Sequence, residues 1–122
     1  MHNKTRILFV EDDQVLRITL SRELSVAGYS VTTASDGSEA IDLVEQLNFD
    51  LALLDIRIPK VDGFDVLKFI KKNFPSIKVI MLTAYADLKS SMEAKRLGAE
   101  DLVSKPYNLE DLCATIERVL NS

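Results

Sequence analysis

Leu51-Ala52-Leu53-Leu54-Asp55 is an unbroken apolar run that stops on a carboxylate. A strand with one solvated face alternates apolar and polar residues, whereas a strand covered on both faces does not need to. The run therefore reads as a central strand of a parallel sheet, with Asp55 at its rim. Working outward, Ile7-Leu8-Phe9-Val10 and Val79-Ile80-Met81-Leu82 have the same continuous character. Tyr29 to Ala34 and Leu102-Val103 supply two further apolar runs, the last too short to classify by pattern alone.

The intervening segments read as helices. Leu16, Leu20 and Leu24 recur one turn apart, with Ala27 nearby and Gly28 as the stop. Asp36-Gly37 opens a second helix, with Ala40, Ile41, Val44 and Leu47 as its buried stripe. Phe64, Leu67, Phe69 and Ile70 line a third, which ends before Pro75. A thin stripe of Leu88, Met92 and Leu97 marks a fourth, closed by Gly98 and partly exposed; Leu109, Leu112, Ile116, Val119 and Leu120 mark a strongly amphipathic fifth. The order βαβαβαβαβα specifies an α/β fold, a mostly parallel sheet with helices on both faces and right-handed crossovers. Spacing alone does not set the strand order.

A chain of 122 residues fits one domain with one core, so residues 1–122 are expected to form a single domain. The net charge of −4 removes a whole-domain basic footprint for nucleic acid. Lys68, Lys71, Lys72 and Lys78 read as a solvated helix face. No apolar run is long enough to span a membrane, and the basic N-terminus leads into a short strand-like run, not a signal peptide. One cysteine, Cys113, permits no internal disulfide and reads as a small structural residue of the last helix. A soluble, cytoplasmic protein is expected.

Open parallel sheets bind ligands beyond the carboxyl ends of their strands. There the sequence places Glu11-Asp12-Asp13 after the first strand, Asp55 on the third, Thr83 on the fourth and Lys105-Pro106 after the fifth. Gathered carboxylates repel by roughly 4 kcal/mol per pair at about 4 Å and an effective dielectric near 20. A cation must offset this, and Mg²⁺ suits a few carboxylates with waters and phosphate oxygens. A carboxylate beside Mg²⁺ can act as a nucleophile toward phosphorus. Lys105 and Thr83 offer a charge and a hydroxyl for the phosphoryl oxygens, and such transfer depends mainly on positioning and charge neutralisation.

Four motifs in order, Ile7-Leu-Phe-Val-Glu-Asp-Asp13, Leu53-Leu-Asp-Ile-Arg-Ile-Pro-Lys-Val-Asp-Gly63, Leu82-Thr-Ala84 and Leu97-Gly-Ala…Lys105-Pro106, give the chain a resemblance to the receiver domain of two-component response regulators from about Arg6 to Leu120. The resemblance implies a flavodoxin-like (βα)5 fold with strand order 2-1-3-4-5. It makes Asp55 the phosphoacceptor, Asp12 a direct metal ligand, Glu11 a ligand through water, and the Arg57 backbone carbonyl the last protein ligand to Mg²⁺. It assigns Thr83 and Lys105 to the phosphoryl group, makes Lys105-Pro106 a cis peptide, and fits Pro59, Asp62 and Gly63 to the turn after the acceptor strand. A sensor histidine kinase or phosphotransfer protein would be the donor. A linked output domain or partner protein would read the switch, and a phosphorylation-dependent homodimer is a further implication. The domain would assist its own phosphorylation and dephosphorylation without being a turnover enzyme.

One departure is Leu102, which stands where many members carry Tyr or Phe, so an aromatic rotamer switch is impossible there. Tyr107 does not occupy that position, though it can contribute to an output surface. Arg57 and Tyr85 fall at the two positions that tune phosphoryl lifetime, and their bulk points to slow self-dephosphorylation. Several polar residues have simpler readings. Asp13 is expected to cap the first helix and Asp62-Gly63 to form a turn, while Asp87, Asp101 and Asp111 are caps or solvated. His2 is a lone terminal histidine, neither donor nor ligand. Two other functions compete. A phosphohydrolase of the haloacid-dehalogenase type would carry an aspartate two residues after its nucleophile, where this chain has Arg57, and the sequence shows no inserted cap domain. A pseudo-receiver acting by binding alone would not need the full set of Glu11, Asp12, Asp55, Thr83 and Lys105.

Overall fold

The computed structural model of the chain describes residues 4–84 and 87–122. Its elements run β1 (Arg6–Val10), α1 (Gln14–Val26), β2 (Ser30–Ala34), α2 (Gly37–Gln46), β3 (Leu51–Asp55), α3 (Gly63–Asn73), β4 (Lys78–Thr83), α4 (Leu88–Arg96), β5 (Asp101–Ser104) and α5 (Leu109–Leu120). The strands form one parallel sheet in the order β2-β1-β3-β4-β5. The short run at Leu102-Val103 thus belongs to the edge strand β5.

Alternation along the strands divides the core in two. Ile7, Phe9, Leu51, Leu53, Ile80 and Leu82 face α1 and α5, meeting Leu20, Leu24, Leu112, Ile116 and Val119. Leu8, Val10, Ala52, Leu54, Val79 and Met81 face α2 and α3, meeting Ala40, Val44, Val66, Leu67 and Ile70. Every residue of β3 is buried. Both of its faces contribute to folding, at roughly 1.5–3 kcal/mol for each fully buried large aliphatic side chain.

The helix starts follow local chemistry. Asp13, Asp36, Asp62, Asp87 and Asn108 cap α1 to α5, each side chain accepting a hydrogen bond from the N–H three residues on. Asp13 therefore caps as read, and Asp62 is a helix cap more than a turn residue. Gly28 closes the α1 turn with a φ of +109°, a conformation a side chain would strain. Gly63 answers a different need. A Cβ there would lie 2.3 Å from the Asp55 carbonyl oxygen, so only glycine lets the start of α3 approach the end of β3 this closely.

Two packing expectations are corrected, at Leu47 and Lys71. Leu47 lies one residue past the end of α2 and is half exposed, leaving Phe49 as the buried apolar group there. The α4 stripe is partly exposed as expected: Leu88 and Met92 are 75% and 62% exposed, Leu97 packs against the core, and the buried residue of the helix is Ala94, whose small side chain faces the sheet. Lys71 is not solvated. Its ammonium donates to the Ile77 carbonyl at 2.9 Å and to both Glu100 oxygens at 2.6 and 3.0 Å, while Val79 N–H donates to Glu100 at 3.0 Å. Among the described residues no helix is long and apolar enough to cross a membrane.

Candidate functional site

The parallel sheet brings the ends of β1, β3, β4 and β5 to one edge, and the polar residues read from the sequence meet there. Glu11 follows β1 and is buried, as are Asp55 at the end of β3 and Thr83 at the end of β4. Asp12, one residue further along the β1–α1 loop, is exposed. Ligand atoms of Glu11, Asp12 and Asp55 all lie within 4.8 Å of one another.

Lys105 joins the group from beyond β5. Its Nζ donates to Asp55 Oδ2 at 2.5 Å and to Glu11 Oε1 at 2.7 Å. Its own backbone N–H donates to the Thr83 carbonyl at 2.7 Å, and the Lys105-Pro106 peptide is cis. The other Asp55 oxygen accepts from the Arg57 N–H at 3.0 Å, so the chain turns back around the carboxylate as it leaves β3. Asp13 N–H donates to Glu11 Oε2 at 3.2 Å, engaging both oxygens of that side chain.

Charge follows from this crowding. Burial is the largest influence on Glu11 and raises its pKa; hydrogen bonds from Lys105 and the Asp13 N–H oppose the rise without cancelling it, and the Asp55 charge adds to it. For Lys105 burial acts against the ammonium, but the Asp55 and Glu11 carboxylates together outweigh it and hold the pKa above the ordinary value. The lysine is thus a fixed cation between two carboxylates. Coordination by oxygen donors alone, including several carboxylates at an open edge, suits a hard divalent cation such as Mg²⁺. The donor set therefore fits the metal that the sequence suggests.

One group near the site, Arg17, escaped the sequence reading. Arg17, one turn into α1, donates back to the carbonyls of Glu11 at 2.8 Å and Asp12 at 3.3 Å. A lone arginine on an amphipathic helix gives no sequence signal for such a contact. Tyr107, which the sequence reading offers to an output surface, buries its hydroxyl without a hydrogen-bond partner among the described residues, and burial pushes its pKa up to about 12. Tyr85 and His2 lie outside the described residues.

A 2-1-3-4-5 parallel sheet with carboxylates gathered beyond its central strands gives the molecule a flavodoxin-like fold with its acidic site at the carboxyl edge of the sheet. Residues 7–117 match the family model for the response regulator receiver domain, and the chain belongs to that family. It is 41% identical over 98% of its length to a probable transcriptional regulator, ycf27, of Guillardia theta, of which it covers 47%. It is 38% identical to the DNA-binding transcriptional regulator NtrC of Klebsiella pneumoniae over 92% of its length, covering 24% of that protein. The chain therefore spans about half the length, or less, of these curated relatives. Among solved structures, a CheY-like receiver domain from Methanospirillum hungatei superposes with a TM-score of 0.93 at 34% identity, covering 98% of this chain and 95% of that one. The Thermotoga maritima response regulator TrrA, solved in complex with Mg²⁺ and BeF, gives a TM-score of 0.85 at 34% identity, with 94% and 98% covered. The acidic cluster of Glu11, Asp12 and Asp55 is consistent with the Mg²⁺-binding phosphoacceptor site of the family.

Proposed function

We propose that Asp55 accepts a phosphoryl group with Mg²⁺ held beside it, and that the modified domain acts as a switch. The observation that carries this reading is the convergence of three carboxylates within 4.8 Å of one another, with Lys105 bridging two of them. In this reading Asp12, Asp55 and the Arg57 carbonyl hold the metal directly, and Glu11 acts through water. When bound, Mg²⁺ would supply the positive charge that offsets the carboxylates and the phosphoryl oxygens.

The chain's own groups do the rest. An Asp55 oxygen attacks phosphorus, and the bond from phosphorus to the donor breaks. The donor atom leaves with the electron pair and takes a proton from solvent. Lys105 is already 2.5 Å from the acceptor, so a short movement carries its charge to the incoming phosphoryl oxygens. Thr83, buried at the end of β4, supplies a hydroxyl for the same group. By these means the domain assists its own phosphorylation and dephosphorylation.

The donor is a sensor histidine kinase or phosphotransfer protein. Output passes to a linked domain or a partner protein, in keeping with relatives that are longer than this chain and named as transcriptional regulators. Residues 1–122 form the single receiver unit, act in the cytoplasm, contact neither nucleic acid nor membrane directly, and can pair as a homodimer once phosphorylated. Bulky Arg57 and Tyr85 slow the loss of the phosphoryl group; an Arg57→Asn, Tyr85→Glu variant with a longer phosphoryl half-life would overturn that assignment.

The test is incubation with acetyl phosphate and Mg²⁺, read by intact mass beside Asp55→Asn and a sample in EDTA. Wild type alone, and only with Mg²⁺, gains one phosphoryl group. Full labelling of Asp55→Asn would show that another residue is the acceptor. If wild type fails to take the group and also fails to bind Mg²⁺ and beryllofluoride, only binding without phosphorylation remains.

A further inference from the structure

The acidic loop between β1 and α1 has to do two opposed things. It must hold Glu11 and Asp12 close to Asp55, and it must do so against their mutual repulsion before any metal arrives. Apolar packing does not hold it, because Asp12, Asp13 and Gln14 are all exposed. Hydrogen bonds do. Glu11 N–H donates to the Ala34 carbonyl at 3.0 Å, which ties the loop to the end of β2. Asp13 is tied on both sides, its N–H to Glu11 Oε2 and its carboxylate to the Leu16 N–H. The carbonyls of Glu11 and Asp12 both accept from one guanidinium nitrogen of Arg17. The Asp12 carboxylate, by contrast, has no hydrogen bond or ion pair among the described residues. It is held in range of Glu11 and Asp55 by its backbone alone.

We infer that Arg17 is a positioning residue for the metal: by clamping the consecutive carbonyls of Glu11 and Asp12, it fixes the direction of both carboxylates in the metal-free protein. The inference rests on the Mg²⁺ reading of the site. Its physical basis is that order imposed in advance need not be imposed on binding, and that groups behind metal ligands tune affinity without touching the ion. Arginine suits the task because its charge is permanent and its rigid planar head fixes the direction of the one nitrogen that serves both carbonyls. Lysine offers a single flexible point charge. The Arg17 charge also lies against the backbone of the acidic loop, where it offsets part of the carboxylate repulsion.

The experiment compares wild type, Arg17→Lys and Arg17→Ala. Mg²⁺ binding is measured by calorimetry, amide exchange at Asp12 and Asp13 in EDTA by NMR, and thermal stability in parallel. Arg17→Ala weakens Mg²⁺ binding by about 10-fold and Arg17→Lys by less. Exchange of the Asp12 and Asp13 amides speeds up in the metal-free state. Phosphorylation by acetyl phosphate falls at low Mg²⁺, and most of that fall is recovered at saturating Mg²⁺. A residue that only anchored α1 would lower the melting temperature and leave the Mg²⁺ affinity within twofold of wild type, and that result overturns the inference. Should Arg17→Ala fail to fold, Arg17→Lys decides on the same criteria. If wild type binds Mg²⁺ and the variants bind equally well, only the role of Arg17 fails; if wild type binds none, the metal reading falls and the inference with it.

Discussion

Strand β3 and the β5–α4 edge sit in the same sheet and are held in opposite ways. All five residues of β3 are buried, and both faces of the strand enter a core. Strand β5 has three half-buried residues and one exposed one, and α4 buries only Ala94. Ion pairs make up for the missing apolar contact. Lys71 ties α3 to Glu100 just before β5, and Arg118 of α5 pairs with Asp101 at its start. Apolar burial gives a rigid platform, because close-packed interiors resist small displacements. Polar ties at a surface are individually weaker and exchange partners at lower cost. Asp55 therefore stands on the most completely buried strand, and the edge beside it is held mainly by polar ties, which favours rearrangement there over β3.

The comparison breaks first at its rigid end. Leu53→Ala removes a fully buried side chain from the centre of the α1–α5 face, and a loss of about 2–5 kcal/mol in urea unfolding is expected. A loss below 1 kcal/mol would mean that the platform relaxes around the cavity and is not stiff.

Lys71→Met tests the other end. Both partners of the pair are about one-fifth exposed, so the change strands a carboxylate that keeps only the Val79 N–H as partner. A loss of about 2 kcal/mol follows, intermediate between surface and buried pairs. Faster amide exchange should spread through β5 more than through β3. Uniform exchange across the sheet would show that the edge is not a separate unit.

The same contrast decides what the sequence could reveal. Continuous apolar runs mark β1, β3 and β4 because two-sided burial leaves no room for polar positions. Leu102-Val103 carries no such pattern, since an edge strand of four residues needs little burial. Leu88 and Met92 show helical spacing without being buried, because spacing reports a common face and not what covers it. Lys71 looked solvated because its partner, Glu100, is distant in sequence. The site was legible for a structural reason: parallel strands place their carboxyl ends together, so Glu11, Asp12, Asp55, Thr83 and Lys105 had to converge once the element order was known. Arg17 was not legible, since its partners are backbone carbonyls, which every residue has.

A smaller effect, of opposite sign, is expected at Glu11. Burial first, and then the Asp55 charge, hold its pKa above the usual carboxylate range. The folded value exceeds the unfolded one, so the stabilisation Glu11 gives is complete below the unfolded pKa and disappears as pH rises through the folded pKa. At pH 7 burial of the ionised side chain works against stability in the metal-free protein. Glu11→Gln is therefore expected to raise stability in EDTA at pH 7, read as a higher Tm than wild type. The gain shrinks as pH falls toward 4, and Mg²⁺ binding weakens in the same variant. A destabilised Glu11→Gln at pH 7 would show that the bond to Lys105 outweighs the burial of the charge.

The smallest effect on stability belongs to Met92→Ser. Met92 is 62% exposed and lies beside Leu88, itself 75% exposed, on a helix whose sheet-facing contact is Ala94. Replacing it removes little buried surface, so the unfolding free energy should move by less than about 0.5 kcal/mol. Its effect should appear only after activation. An apolar pair left in water on a weakly held helix is useful when another surface covers it. Sedimentation of the beryllofluoride-loaded protein, wild type against Met92→Ser, separates the two roles: weaker self-association at unchanged stability makes α4 an interaction face, while a stability loss above 1 kcal/mol would place Met92 in the packing of the edge and narrow the contrast with β3.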